Sequence, residues 1–324
     1  MFSIGKFGNE SRVILAPMAG VTDRPYRDAC RRYGAYWTVS EMTTSDPSLR
    51  NSRKSKERMI TEDEDGPRWV QIAGSDPAQM ASAATYCVDR GADIIDINMG
   101  CPAKKVCNKA AGSALLRDES LVSDILSRVV EAVPVPVTLK IRLGWSRDEI
   151  NATEIGLIAK DAGVVLLTVH GRTRACRFTG EVDYGAIATI KKNVDLPIVA
   201  NGDISSPQKA KKVIELTSCD AVMVGRAALG KPWLISEVDY FLKTGDFTEQ
   251  VSGSYLSDFL LSHLNALYLY YGVERGLLIA RKHVGWALAD LPMSSDLKKE
   301  FNRASSAEEQ IRLISCLKIE KLVA

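Results

Sequence analysis

Short runs rich in β-branched and other apolar residues recur eight times in the first three-quarters of the chain. Most are separated by a segment with helical spacing, and this alternation at roughly 30-residue intervals is typical of βα units. Eight units predict a (β/α)8 TIM barrel, an α/β fold, whereas an open doubly wound sheet of six or seven strands is the alternative. The runs are Val13–Ala16, Trp37–Ser40, Trp69–Ile72, Ile94–Ile97, Val137–Ile141, Leu166–Val169, Ile198–Ala200 and Ala221–Val224.

The pattern changes near Gly245–Ser254, where glycines and polar residues predict a linker. Only helical patterns follow, namely Tyr255–Tyr271, Arg275–Ala289, Asp296–Ala304 and Ala307–Leu322. The chain is therefore expected to contain a barrel domain, residues 1–244, and a small helical domain, residues 245–324.

Composition excludes several classes of protein. Hydrophobic residues make up 46% and charged residues 25% of the 324 residues, as in a soluble globular protein. No apolar run is long enough to cross a membrane and the N-terminus lacks a signal-peptide pattern, so a cytoplasmic protein is expected. Seven cysteines without C-x-x-C spacing and three widely separated histidines predict free thiols and no metal site.

Polar or reactive side chains follow nearly every predicted strand, at the end where TIM barrels carry functional residues. Buried polar groups cost free energy unless they are paired, so this number of them predicts a polar ligand across the barrel mouth. They include Glu41, Gln71, Asn98, Cys101, Lys140, Arg142, His170, Asn201, Asp203 and Arg226.

Two glycine-rich turns predict where the ligand's phosphate binds. Gly202–Asp203 and Gly225–Arg226 follow the seventh and eighth predicted strands, where backbone N–H groups of TIM barrels often hold phosphate. The run 225–232 has P-loop spacing, but Pro232 stands where Ser or Thr would bind magnesium. No G-x-G-x-x-G motif occurs, so a Rossmann dinucleotide site is not expected.

Five segments together resemble the signature motifs of tRNA-dihydrouridine synthases and occur in that family's order. They are Ala16–Gly20 (APMAG), Asp96–Pro102 (DINMGCP), Lys140–Arg142 (KIR), His170–Thr173 (HGRT) and Asn201–Ile204 (NGDI). The resemblance extends from about Arg12 to Trp233 and more weakly through Arg281-Lys282-His283. The run Asn98–Val106 is most similar to the bacterial DusB subfamily.

The resemblance implies noncovalent FMN at the barrel mouth, with NADPH as electron donor using the same mouth. It implies reduction of uridine to 5,6-dihydrouridine in the D-loop of tRNA, with the seventeenth nucleotide as the suggested target. A cation near the flavin pyrimidine stabilises the anionic reduced ring, and Lys140 would have this role. The implied FMN contacts are Pro17, Met18, Ala19, Gln71 and Lys140 at the ring, and His170, Asn201, Gly202, Asp203, Gly225 and Arg226 towards the phosphate.

Cys101 is implied as the proton donor to the uracil. A thiol acid must stay protonated at pH 7, so its pKa should remain near or above about 8.5. Structural alternatives stay open for individual residues: a buried inert thiol for Cys101, a buried ion pair for Lys140, a structural histidine for His170 and turn capping for Asn98. Asn98 is otherwise expected to orient the uracil or the flavin.

Binding of folded tRNA requires the target base to leave its stack and reach the flavin through a basic mouth. Three predicted mouth loops are basic: Arg50, Arg53, Lys54, Lys56 and Arg58; Lys104, Lys105 and Lys109; and Arg172, Arg174 and Arg177. Arg172, Arg281 and Lys282 are the expected substrate contacts. The protein is expected to bind one tRNA as a monomer. Tyr268, Tyr270 and Tyr271 would either stack on bases or belong to the core.

Two other functions are compatible with parts of this pattern. A flavin barrel acting on a free pyrimidine would explain the cofactor site but not the basic loops or the helical tail. An RNA-binding scaffold without catalysis would explain the basic loops but not Lys140 and Cys101.

Overall fold

The computed structural model describes residues 1–58, 63–108, 110–248, 253–289, 291 and 294–317. The strands are β1 (Phe2–Ile4), β2 (Phe7–Asn9), β3 (Val13–Leu15), β4 (Trp37–Thr38), β5 (Thr43–Thr44), β6 (Trp69–Ala73), β7 (Ile94–Met99), β8 (Val137–Arg142), β9 (Leu166–His170), β10 (Ile198–Asn201) and β11 (Ala221–Val224). The helices are α1 (Arg24–Arg32), α2 (Arg53–Lys56), α3 (Pro77–Val88), α4 (Lys104–Cys107), α5 (Glu119–Ala132), α6 (Ala152–Asp161), α7 (Tyr184–Asn193), α8 (Pro207–Thr217), α9 (Leu234–Thr244), α10 (Gly253–Tyr271), α11 (Val273–Ala287), α12 (Ser294–Arg303) and α13 (Ala307–Ser315). Short 3-10 turns cover Pro47–Leu49, Gly112–Arg117 and Arg226–Ala228.

The parallel strands β3 to β11 form the predicted (β/α)8 barrel, in the order β4-β3-β11-β10-β9-β8-β7-β6-β5. The strands β4 and β5 are two pieces of the second barrel strand, and a parallel bridge between Val39 and Trp69 joins the ends of the sheet. Ser40 explains the interruption, because its hydroxyl accepts the Gln71 backbone N–H at 3.2 Å in place of a strand carbonyl. The predicted strand Trp37–Ser40 is therefore shorter than expected.

Parallel registry brings the predicted site residues together. Since neighbouring strands run in the same direction, residues at their carboxyl ends lie side by side at one end of the barrel. The paired positions include Gln71 with Asp96, Asn98 with Lys140, Arg142 with His170, and His170 with Asn201.

A hairpin formed by β1 and β2 covers the opposite end of the barrel. Phe2 and Ile4 are buried in one apolar cluster with barrel residues such as Trp37 and Trp69. The Phe2 and Trp37 rings meet edge to face with centroids 5.5 Å apart. The sequence pattern did not predict this hairpin, because three-residue strands are too short to show a period of two.

The helices after residue 252 pack against α1 and share one apolar cluster with the barrel. Tyr33, at the end of α1, contacts Tyr255 and Phe259 of α10 with ring centroids 4.9 and 6.1 Å apart. Within this helical region, His263 Nε2 and His283 Nδ1 form a buried hydrogen bond of 3.1 Å between α10 and α11. Burial lowers the pKa of His263 to about 3, so this pair is neutral at physiological pH.

The division at residues 244 and 245 stays a prediction. Part of the expected linker, residues 249–252, lies outside the described residues, as does the end of the last predicted helix, residues 318–322. Within the described part of the chain, no helix combines the length and apolarity that a membrane crossing needs.

Candidate active site

A cavity of about 680 Å³ opens at the carboxyl ends of the barrel strands. All the residues predicted to bind the cofactor line it, together with Asn98 and Cys101. Arg172, Arg281 and Lys282 do not line it. The lining also includes residues that received no role from the sequence, namely Val21, Met42, Phe178, Ser205 and Leu229. Phe178 is 51% exposed on a loop, where no periodic pattern indicates a role.

A buried carboxylate lies beneath the cavity. Asp96 on β7 is 2% exposed and accepts hydrogen bonds from Gln71 Nε2 at 2.7 Å and from the Thr138 hydroxyl at 2.6 Å. Thr138 in turn accepts the Trp69 indole N–H at 3.0 Å. Burial raises the pKa of Asp96 to about 6, against the lowering effect of its two donors, so the carboxylate is ionised at pH 7.

The same hydrogen-bond chain reaches the Cys101 loop. Asn98 Nδ2 donates to Gln71 Oε1 at 2.7 Å, and Asn98 Oδ1 accepts the backbone N–H groups of Gly100 at 3.2 Å and Cys101 at 3.0 Å. Asn98 therefore caps the turn as well as lining the cavity. One Gln71 N–H and its carbonyl oxygen are engaged, which leaves the second N–H for a ligand.

The polarity of this chain is set from both ends. The Trp69 indole and the backbone N–H groups at Gly100 and Cys101 are donors that cannot act as acceptors. Because the series of hydrogen bonds begins with a donor at each end, one group in the middle must accept hydrogen bonds from both directions. Ionised Asp96 is that group, since it accepts from Gln71 on one side and from Thr138 on the other.

Lys140 on β8 points into the cavity from the next strand. Its Nζ donates to Asn201 Oδ1 at 3.0 Å, and Asn201 Nδ2 donates to the Met223 carbonyl at 2.8 Å. The bonded partner is a neutral amide, which favours a ligand-directed cation over a direct buried ion pair. Burial, and to a smaller extent the nearby Arg142 charge, lowers the pKa of Lys140 to about 8, so the amine is still mainly protonated at pH 7.

The ends of the last three strands, β9, β10 and β11, form a basic corner. Arg172, 3% exposed, donates to Asp203 Oδ1 at 3.0 Å and to the Gly180 carbonyl at 3.1 Å, while Arg226 donates to the same Asp203 carboxylate at 2.7 Å. Arg172 therefore holds the loop in this structure, whereas Arg226 lines the cavity. Its expected contact with the substrate stays a prediction, whereas its pairing with Asp203 was not predicted from the sequence.

His170 lies beside this corner with a buried Nε2 that has no hydrogen-bond partner among the described residues. Burial, reinforced by the charges of Lys140 and Arg142 and two further arginines, lowers the pKa of His170 to about 2. The ring is therefore neutral and offers one nitrogen to the cavity. An unpaired buried nitrogen is costly, which favours a ligand contact over a purely structural histidine.

Cys101 lies at the cavity on a tightly held turn. Its carbonyl accepts hydrogen bonds from the Ser113 hydroxyl at 2.9 Å and the Ser113 N–H at 3.2 Å. Gly112 has φ of +63°, and a Cβ there would lie 2.7 Å from the Cys101 carbonyl oxygen. Burial raises the pKa of Cys101, so the thiol is protonated at neutral pH.

The helical region meets the barrel next to this mouth. Lys282 Nζ donates a hydrogen bond to the Gly20 carbonyl, so its side chain contacts the barrel. The hydroxyls of Tyr270 and Tyr271 donate to the Glu57 carbonyl and to Asp23 Oδ2, each at 2.7 Å. Their contacts, like that of Tyr268 with Gln310 at 2.7 Å, favour packing over base stacking.

Comparison with known proteins gives a consistent family. A family model described as Dihydrouridine synthase (Dus) matches residues 14–323. A protein named tRNA-dihydrouridine synthase B from Pseudomonas aeruginosa is 57% identical over 307 residues, covering 95% of this chain and 92% of its own. One with the same name from Vibrio parahaemolyticus is 49% identical over 311 residues, covering 96% and 97%. The solved structure of morphinone reductase in complex with tetrahydroNAD shares the fold, with a TM-score of 0.52 at 13% identity over 78% of this chain and 92% of that one.

The hydrogen-bond chain predicts that one carboxylate, and not two, is tolerated beneath the cavity. Gln71→Glu would face Asp96 with a second carboxylate, so one of the two must take up a proton in the folded state. We expect a loss of about 3 kcal/mol in the free energy of unfolding at pH 8. The carboxyl pKa is raised in the folded state, so the deficit should shrink as pH falls towards 4.

Urea unfolding at pH 5 and pH 8 measures this effect, with Gln79→Glu, the same change at an exposed position, as the matched control. Adding Asp96→Asn to Gln71→Glu restores one carboxylate between the two sets of donors and should recover most of the stability. Equal stability of Gln71→Glu and wild type at pH 8 would contradict the assigned direction of the hydrogen bonds that converge on Asp96.

Proposed function

Because the chain belongs to the dihydrouridine synthase family, we propose that it is an FMN-dependent enzyme that uses NADPH to reduce uridine to 5,6-dihydrouridine in the D-loop of tRNA. The observation that carries the proposal is the composition of one cavity. It combines a basic corner, a buried amine and a protonated thiol with an imidazole nitrogen that has no partner in the described part of the chain.

The residues of the cavity fit FMN. Arg226 and His170 Nε2 offer donors to a phosphate or ribityl oxygen, since the neutral imidazole can carry its proton on either nitrogen. Gly202 has φ of +128°, and a Cβ there would lie 2.9 Å from Val182 and 3.1 Å from His170, so the packing of the cavity wall requires glycine at this position. Bound FMN would supply the hydride that uracil reduction requires.

Lys140 would provide the positive charge that favours electron-rich flavin. It lies between Asn98 on one neighbouring strand and Thr168 on the other, and its hydrogen bond to Asn201 aims the amine across the barrel. With its pKa lowered to about 8, the amine can also lose its proton when pH rises, so activity should decline on the alkaline side.

Cys101 would hold the proton that uracil needs at the ring carbon next to the one that accepts hydride. The Asn98 side chain and Ser113 fix the Cys101 backbone from both sides, which orients the thiol towards the cavity. A raised pKa keeps the thiol as an acid, in contrast to a nucleophilic cysteine, whose pKa is lowered.

RNA would approach over the rim formed by the segments that follow β7, β8 and β9. The rim patch consists of Arg117, Trp145, Arg147, Arg174 and Arg177. The Arg174 and Arg117 guanidinium groups lie 4.3 and 5.1 Å from the centre of the Trp145 ring. Such basic and aromatic groups bind phosphates and unstacked bases. The patch continues into the cavity wall, because the Arg177 carbonyl accepts a hydrogen bond from Arg142 at 2.6 Å.

The other residues predicted to contact RNA differ in how exposed they are and in the contacts that they already make within the protein. Arg53 is exposed, whereas Arg58 donates to the Met42 carbonyl at 3.1 Å and Lys109 lies outside the described residues. Arg281 is half-buried and remains a proposed contact for tRNA. A cytoplasmic monomer acting on one tRNA at a time stays a prediction.

The two alternative functions considered from the sequence would give different experimental results. A flavoenzyme for a free pyrimidine would turn over uracil or a small relative as well as tRNA. An RNA-binding scaffold would contain no flavin. Assays of tRNA and free uracil with the same flavin-loaded protein separate the first alternative from the proposal, and the colour of the purified protein tests the second.

The isolated protein is expected to carry FMN noncovalently, because its phosphate corner suits a mononucleotide. Denaturation followed by ultrafiltration should release the yellow colour into the filtrate, where chromatography identifies it. FAD in the filtrate, or flavin retained with the protein, would contradict the cofactor assignment.

Cys101→Ala should remove the proton donor and leave flavin reduction intact. We expect near-normal reduction by NADPH and reoxidation by tRNA slowed by about 10²–10⁴-fold, the usual contribution of general acid catalysis. Stopped-flow absorbance measures both half-reactions, with Cys316→Ala, a change at an exposed thiol, as the control. Dihydrouridine formation at the wild-type rate by Cys101→Ala would show that another group donates the proton.

Arg174→Ala and Arg281→Ala should each weaken tRNA binding and reduce the salt slope by roughly one for each phosphate that the protein no longer neutralises. The measurement is tRNA affinity across a salt series, beside oxidation of NADPH by dissolved oxygen, which should not change. Arg128→Ala, which removes an exposed arginine paired with Asp124 on α5, is the control. Unchanged tRNA affinity at every salt concentration would remove the tested residue from the RNA interface.

A further inference from the structure

Helix α11 contacts a loop of the proposed FMN site directly. Lys282 Nζ donates to the Gly20 carbonyl, and on its other side the Gly20 N–H donates to Glu41 Oε1. Glu41 is 4% exposed and lies 3.4 Å from the Arg58 guanidinium. The Gly20 backbone is thus held between a cation from the helical region and an anion from the barrel.

Gly20 belongs to a turn that closes on itself. The N–H groups of Val21 and Thr22 donate to the Met18 carbonyl at 2.9 and 3.0 Å, and the Met18 N–H donates to the Thr22 hydroxyl at 2.9 Å. These hydrogen bonds join the residues on both sides of Gly20 within the turn. Since Pro17, Met18, Ala19 and Val21 line the cavity, a shift of Gly20 would change the cavity wall.

A second contact holds the end of the turn. The Tyr271 hydroxyl of α10 donates to Asp23 Oδ2 at 2.7 Å, while Asp23 Oδ1 accepts the Tyr26 N–H at 3.1 Å and caps α1. The helical region therefore contacts this segment at two points, Lys282 at Gly20 within the turn and Tyr271 at Asp23 just after it.

We propose that Lys282 is a positioning residue of the cofactor site, which holds the Pro17–Gly20 loop against the flavin edge. The inference rests on the proposed FMN cofactor and adds a second role for the helical region, which the sequence associates with tRNA alone. By linkage, a cofactor that needs the loop in this position also strengthens the docking of α11 on the barrel.

Lys282→Met tests the proposal because it keeps an unbranched stem near the Trp286 ring and removes the donor. FMN binding to flavin-free protein, followed by flavin fluorescence, should weaken about tenfold, since hydrogen bonds from charged groups contribute more than neutral ones. Lys282→Arg retains a donor and should bind FMN within about twofold of wild type. Lys299→Met, at a lysine paired with Asp296 on α12, is the matched control and should not change FMN affinity.

Hydrogen exchange of the loop peptide provides a readout that does not depend on the cofactor. In flavin-free protein, exchange at residues 18–22 should be faster in Lys282→Met than in wild type, and Tyr271→Phe should accelerate it from the other contact. Failure of wild type to bind FMN would overturn the proposed cofactor, whereas loop exchange would still test the contact. Unchanged FMN affinity and unchanged loop exchange in Lys282→Met would overturn the positioning role.

Discussion

Two series of hydrogen bonds converge inside the barrel, and the direction of each is fixed by a group that can only donate. The Asp96 carboxylate lies between them and accepts from both. From below come the Trp69 indole and the Thr138 hydroxyl, and from above comes the Gln71 amide, itself oriented by Asn98. Because Asp96 is buried, a wrongly oriented amide in this chain would leave a polar group unpaired at considerable cost. The position of the Cys101 turn therefore depends on the Asp96 charge, which lies on β7, the strand that leads into the turn, and does not itself line the cavity.

The cavity above this carboxylate is strongly cationic. Lys140, Arg142, Arg172 and Arg226 converge near His170, and their charges together with burial keep the imidazole neutral. Asp203 compensates part of this charge by pairing with Arg172 and Arg226. These positive charges would stabilise an electron-rich or phosphorylated ligand without rearrangement of the protein. Burial raises the pKa of the Cys101 thiol by more than the Arg142 and Lys140 charges lower it, so the thiol remains an acid.

The helical region is continuous with the barrel in its packing. Its tyrosines and the buried His263–His283 pair lie against α1, and Lys282 reaches the turn at Gly20. The helical region, for which we propose RNA binding, is therefore connected to the proposed cofactor site by polar contacts such as that of Lys282 with Gly20. A change in how α11 docks would be transmitted to the cavity wall, since the turn from Met18 to Thr22 is internally hydrogen-bonded.

The sequence by itself determined the barrel, the order of its strands and most of the cavity lining. Strand–helix alternation and the residues that follow each strand are local features, and parallel strands necessarily bring their carboxyl ends together. Gln71, Cys101, Lys140 and His170 were predictable for this reason. Which partner each side chain meets was decided by the tertiary structure. Lys282 and Gly20 are 262 residues apart, and Arg172 and Asp203 are 31 apart, so no local pattern pairs them. The hairpin at Phe2–Asn9 depends on distant contacts with the barrel interior, and the split of the second strand depends on the contact between Ser40 and Gln71. Segments of two or three residues have too little propensity of their own to specify a structure.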